Sequence, residues 1–194
     1  VVNKLLDFGA SVDAGDDQGM SSLIHASRSG HASVVSSLLS RDTDVDFQDE
    51  AGQTALIVAS KRGHVSVVTM LLDKGANMEL KDTDGTTPLS EAVYADNEVI
   101  LDLLLDKGAD PNTRDGPLER SPFIVACSHG HASIALNLLR RHKDLCLEAK
   151  DVDGDSGLHY ACLKGHEDVV ELLLAEGFDL KIENNLKITP LRNA

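Results

Sequence analysis

Apolar residues recur along this chain as adjacent pairs set four residues apart. Val34-Val35 is followed by Leu38-Leu39, Val67-Val68 by Leu71-Leu72 and Val169-Val170 by Leu173-Leu174, with Ile100 and Leu104-Leu105 as a reduced version. This spacing gathers apolar side chains on one side of an α-helix. A shorter apolar stretch precedes each run and starts at a Ser or Thr. These starts are Ser21-Ser22-Leu23-Ile24, Thr54-Ala55-Leu56-Ile57, Thr87-Pro88-Leu89-Ser90, Ser121-Pro122-Phe123-Ile124, Ser156-Gly157-Leu158-His159 and Thr189-Pro190-Leu191-Arg192. Each hydroxyl can accept hydrogen bonds from the free N–H groups of the turn that follows. Pro88, Pro122 and Pro190 fall at the first helical position, where a missing N–H costs nothing. The pattern predicts pairs of helices, a short one and then a longer one. Gly30, Gly63, Gly130 and Gly165 lie between the two and suit a left-handed turn. Asp96 stands at the equivalent place in the third pair and predicts a looser turn there. The polar stretches 46–52, 77–85 and 110–116 read as exposed hairpins.

The six Ser/Thr starts are 33, 33, 34, 35 and 33 residues apart. A second marker follows in register: Gly30-His31, Gly63-His64, Asp96-Asn97, Gly130-His131 and Gly165-His166. The Val/Leu runs and Gly9-Ala10, Gly75-Ala76 and Gly108-Ala109 are the third and fourth. Four markers in fixed order at a period near 33 resemble the ankyrin repeat, whose signature is a Thr-Pro-Leu-His box. The resemblance covers the whole chain. His159 alone supplies the His of the box, and Asp96-Asn97 departs from Gly-His. The resemblance implies an all-α fold with short hairpin loops, a solenoid of stacked helix-turn-helix repeats. The expected extents are one array over 1–194, with full repeats at about 16–48, 49–81, 82–114, 115–150 and 151–183. Partial repeats flank them at 1–15, where Val1-Val2 and Leu5-Leu6 read as a second helix, and at 184–194. Neither end carries the polar face of a capping repeat, so the chain is expected to be part of a longer array.

Composition narrows the function. Hydrophobic residues make up 42% of the chain, but aromatics are 3% and Trp is absent. The core must therefore be built from Leu, Val, Ile and Ala, which suits close helix packing. The net charge is −14, from 32 acids against 18 bases. Such a surface repels phosphate backbones and anionic membranes, and attracts a basic protein or peptide. No apolar run is long enough to insert in a membrane. Three cysteines, Cys127, Cys146 and Cys162, form no disulfide framework, and a cytoplasmic setting fits them.

Candidate chemistry is thin. The recurring histidines follow the repeat period and read as scaffold. His129 and His131 have no Cys or carboxylate beside them at metal-ligand spacing. The run 151–155 starts like a calcium loop, but Ser156 and Cys162 stand where Gly and Glu are needed. No phosphate loop, nucleophile elbow or carboxylate pair is present. The expectation is a non-enzyme without cofactor or metal.

Set aside the scaffold, and specificity falls to the exposed side of the first helices and to the hairpin tips, the surfaces the resemblance implies for binding. The helix positions are Arg28, Val58, Lys61, Arg62, Glu91, Tyr94, Ser128, His129, Tyr160 and Lys164; the tip positions include Glu50, Asp84, Asp153 and Arg120. Tyr94 and Tyr160 are the only tyrosines, and Tyr and Arg are favoured interface anchors. Acidic tips above a cationic helix face suit a partner with basic groups under the tips and an acidic group against the helices. The extra residue before Ser121 lengthens the loop 116–120, either as a contact point or as a tolerated insertion. The resulting expectation is a protein-protein interaction scaffold. The alternative is a structural spacer or regulatory region packed intramolecularly within a larger channel, kinase or adaptor.

Overall fold

A computed structural model describes Lys4, residues 7–9 and residues 11–194. The partial helix read over Val1-Val2 and Leu5-Leu6 lies outside the described residues. Among those described, the chain forms eleven helices and no strand.

Hydroxyl caps start the short helices. The Ser21, Thr54, Thr87 and Ser121 side chains accept from the N–H of Ile24, Ile57, Ser90 and Ile124 at 3.2–3.4 Å. These caps open α1 (Ser22–Arg28), α3 (Ala55–Lys61), α5 (Pro88–Tyr94) and α7 (Pro122–His129). In α9 (Gly157–Lys164) the box His does the work: His159 Nδ1 accepts from Ser156 N at 3.2 Å, and the other ring nitrogen meets the Ile188 carbonyl at 3.0 Å in the next repeat. The last short helix is α11 (Pro190–Asn193). Thr54→Ala is expected to cost about 1 kcal/mol, read as a lower urea midpoint with unchanged slope.

The partner helices are α2 (Ala32–Leu39), α4 (Val65–Asp73), α6 (Glu98–Asp106), α8 (Ala132–Glu148) and α10 (Glu167–Ala175). Their core-facing apolar residues Val35, Val67, Val68, Leu71, Ile100, Leu101, Leu104, Val169 and Leu173 are fully buried, whereas Val34, Leu105 and Val170 are half-buried and Leu174 is exposed. Each short helix lies between the short helices of its neighbours and against its own partner helix. Successive short helices pack closely, and successive partner helices touch more sparsely. That difference curves the stack toward the short helices, which line its inner face. One continuous apolar core of Leu, Ile, Val and Ala runs through all the repeats.

One local expectation changes. The Asp96 turn is not looser. Asp96 takes the left-handed conformation at φ 51°, and Asn97 N donates to Ala92 O at 2.9 Å, the same bond that His31, His64, His131 and His166 make in their repeats. Asn97 adds a cap that the histidines do not make, since its side chain accepts from Ile100 N at 3.0 Å. The connection before Asp151 adds helix to α8. Helix continues to Glu148 beyond a break at His142 (φ −140°, ψ 49°), and Cys146 from that extra segment is buried.

Candidate functional site

The short helices offer three side-chain positions per repeat to the inner face, and the structure separates them. Ser29, Arg62, Ala95, His129 and Lys164, the last of each set, are exposed in every repeat. Val58 and Glu91 occupy the first position and are buried, at 2% and 5% exposure, and Ser128 from the second position is buried as well. These three were expected on the exposed side. In the three middle repeats Val58, Glu91 and Val125 at the first position are covered by the neighbouring short helices, and Val58 joins the core, whereas His25 is exposed and Tyr160 half-buried. Ser128 lies beneath the next repeat, where its carbonyl meets the His166 ring at 3.1 Å. Glu91 pairs with Lys61 at 2.8 Å. Arg28 is half-buried and donates to Gln53 Oε1 at 3.0 Å.

Half of the remaining candidates converge. Tyr94, Arg120, Ser128, His129, Tyr160 and Lys164 surround a hollow of about 540 Å³ with Leu163 and His166. Three successive short helices and one hairpin supply them. The edge of Tyr94 meets the His129 ring at 5.3 Å, and His129 stacks on His131 at 5.8 Å. The Arg120 guanidinium lies over the Tyr160 ring, 5.8 Å from its centre. Arg120 Nε is buried without a hydrogen-bond partner, and no carboxylate pairs with Arg120 or Lys164 among the described residues. Tyr160 donates its hydroxyl proton to Asp151 at 2.7 Å. Burial, and then that bond, hold its phenol well above the usual range. Burial likewise raises the Tyr94 phenol and lowers the His131 imidazole. Both tyrosines are therefore neutral donors over the whole physiological range. Arg28, Lys61 and Arg62 lie on the same face but outside this hollow.

The scaffold reading of the histidines has a geometric basis. His64 and His166 each bond, through Nε2, a carbonyl in the last turn of the preceding repeat's short helix, at 3.1 Å to Arg28 O and Ser128 O. A Cβ on Gly30 would stand 2.7 Å from the His64 ring, so that glycine is required by the close approach as well as by its turn.

Hairpin tips form the second surface. Glu50, Asp84 and Asp153 are exposed on three of the tips, without ion pairs among the described residues. An aspartate organises four of the hairpins, and Asn184 does the same in the last. Asp16, Asp49, Asp82 and Asp151 use one carboxylate oxygen to accept from the N–H groups two and four residues on, at 2.8–3.0 Å. Asp115 is the equivalent residue in the lengthened hairpin and makes neither bond. Pro117 stands two residues on and has no N–H, and Glu119 N turns instead to Gly116 O at 3.1 Å. Asp115 is 2% exposed with both carboxylate oxygens unpartnered. The Ser90 hydroxyl and Lys81 favour its charged form, but burial outweighs them and pushes the carboxyl up to about 6. Sequence reading passed over Asp115. The signal was there, in a proline two residues after a hairpin aspartate.

Comparison with known proteins agrees with this architecture. The family model for ankyrin repeats matches residues 33–115 and 116–185. No curated protein matches the chain by sequence. Among solved structures, the ankyrin repeat domain of Bcl-3, a member of the IkappaB protein family, is 29% identical with a TM-score of 0.87, over 100% of this chain and 86% of that one. A chain in the complex of the predatory endopeptidase Bd0816 from Bdellovibrio bacteriovorus with the immunity protein Bd3460 is 28% identical with a TM-score of 0.80, over 92% of this chain and 90% of that one. Among the described residues, no helix is long and apolar enough to cross a membrane. Ankyrin repeats are in general protein–protein interaction modules, and their fold is in general not an enzyme's. With its helix pairs in register and the family model spanning most of its length, the chain belongs to the ankyrin repeat family.

Proposed function

We propose that this chain binds a partner protein in the hollow of its inner face, with the hairpin tips closing over the same partner. One observation carries the reading: an unpaired arginine and lysine, two half-buried tyrosines and an exposed histidine converge on one hollow shared by three repeats. Aromatic and arginine side chains in partly desolvated hollows are where interfaces concentrate their binding energy. Arg120 and Lys164 suit an acidic group of the partner. The exposed Glu50, Asp84 and Asp153 and a net charge of −14 suit basic groups beside it. Three free thiols, two of them buried, support a reducing cytoplasmic setting.

Capture from a cell lysate tests this, with the native chain beside an Arg120→Ala/His129→Ala/Lys164→Ala variant of unchanged circular dichroism. The expected result is a protein retained by the native chain and lost by the variant, with retention falling as salt is raised from 50 to about 500 mM. Equal retention by both would place the site elsewhere. Retention unchanged by salt would remove the electrostatic part.

A further inference from the structure

We propose that the part of the partner seated in the hollow is an acidic segment, an extended run of about six residues whose carboxylates are received by Arg120 and Lys164. The proposal deepens the protein-binding reading above and rests on it.

The negative charge of the chain is not spread evenly over its layers. Among the described residues, the short helices carry four cations, Arg28, Lys61, Lys164 and Arg192, and one acid, Glu91. That acid is buried and paired with Lys61. The partner helices carry nine acids against three bases. The inner layer is therefore cationic in a chain of net charge −14. An anionic segment is drawn to that layer and repelled by the other.

Within that layer, the hollow is where cations stand without counter-charge. The residue before each helix cap is Met20, Gln53, Thr86, Arg120, Asp155 or Ile188, so the lengthened hairpin places a cation where no other repeat has one. A two-way main-chain bridge to Asp115, at 3.0 and 3.1 Å, fixes the base of Arg120. Its guanidinium lies over the Tyr160 ring and its charge also reaches the Tyr94 phenol. A guanidinium laid on a ring keeps its edge N–H groups for a carboxylate, which it takes through two parallel bonds. Lys164 stands one turn after Tyr160 on α9. Neither cation makes an ion pair among the described residues, and no acid lines the hollow. The acids around it are otherwise placed. Asp151 accepts from the Tyr160 hydroxyl and from the N–H groups of Asp153 and Asp155, and Asp155 accepts from Asn184 at 2.8 Å. Asp115 is buried outside the lining, and Glu119 lines a separate gap with Lys81 and Arg114. A hollow of about 540 Å³ holds far more than one carboxylate. Its walls come from three successive short helices, each about 10 Å from the next, so an occupant crossing it spans roughly 20 Å, about six residues of extended chain.

The test uses capped hexaglutamate as probe, followed by amide chemical shifts of the folded chain, with capped hexalysine and inorganic phosphate as the other arms. The expected result is saturable shifts at Arg120, 128–131 and 160–166 with hexaglutamate, and none there with hexalysine. Arg120→Gln weakens the probe about fivefold or more, and Arg120→Gln/Lys164→Gln, with unchanged circular dichroism, abolishes saturation. Shifts that do not saturate, that are as large at Arg140 and Arg141 of the outer layer, or that survive in the double variant would overturn the proposal. Phosphate that saturates the same amides more tightly than hexaglutamate would overturn it in favour of a phosphorylated partner. Competition separates the proposal from the reading it rests on. Excess hexaglutamate is expected to release a partner captured by the native chain. A partner lost by the Arg120→Ala/His129→Ala/Lys164→Ala variant but not released by hexaglutamate overturns the acidic segment and leaves the hollow as the site. A partner retained by that variant overturns the hollow itself.

Discussion

Gly157→Val is expected to destabilise the chain by roughly 3 kcal/mol or more, read as a fall in the urea midpoint. Gly157 sits at the first position of α9 with ordinary helical backbone, so conformation alone does not require glycine. Space does. A Cβ there would stand 2.7 Å from Cys127 Sγ, 3.1 Å from the Phe123 ring and 3.2 Å from Cys127 Cβ. Both partners are on α7 and cannot give way easily. Cys127 is fully buried, and Phe123 is held by stacking on Phe178 at 5.7 Å. The gain in helix propensity on leaving glycine, up to about 1 kcal/mol, is smaller than the overlap. A valine would wedge α7 from α9 and break the junction between two repeats, and in a linear stack that loss is not shared with distant contacts. Cys127→Ala in the same chain removes the nearest atom and is expected to recover part of the loss. A Gly157→Val chain as stable as the native one would mean that these two helices are not packed as described.

Asp115→Asn is expected to do the reverse and stabilise the fold by about 2 kcal/mol at pH 7.5. The native carboxyl is raised from 3.8 to about 6. A raised carboxyl means that between these values the folded chain keeps a proton the unfolded chain has lost. Stability therefore falls as pH rises through this window, and the full penalty, about 3 kcal/mol, is present above it. Asparagine carries no charge at any pH and escapes most of that penalty, less what its own unpaired amide costs. The gain should shrink steadily as pH is lowered from 6.5 to 4. A gain that stays constant with pH, or a loss at pH 7.5, would show that the carboxylate is not isolated.

How far the chain could be read before folding differs by level. Helix positions were legible because caps, prolines and paired apolar residues all act within one turn of chain. The hydroxyls of Thr54 and Ser121 and the burial of Leu71 and Leu104 follow from local rules. Asp96 misled because its neighbour was not weighed. Asn97 caps α6 with its own side chain, and the turn closes as tightly as the glycine turns do. The site was half legible. His129, Tyr160 and Lys164 could be placed on the inner face by register, whereas burial of Val58, Glu91 and Ser128 depends on how closely neighbouring repeats approach, which no single repeat encodes. The isolation of Asp115 needed the comparison of one hairpin with its neighbours.

The central claim is that the inner face, and not the outer one, meets the partner. Leu163 on α9 and Leu174 on α10 are comparably exposed, at 54% and 41%, and lie on the short-helix and partner-helix layers respectively. A photo-reactive benzoylphenylalanine placed at one or the other, irradiated with the captured partner present, reports the face directly. A covalent adduct from position 163 and none from position 174 is the predicted result. An adduct from position 174 alone would contradict the account.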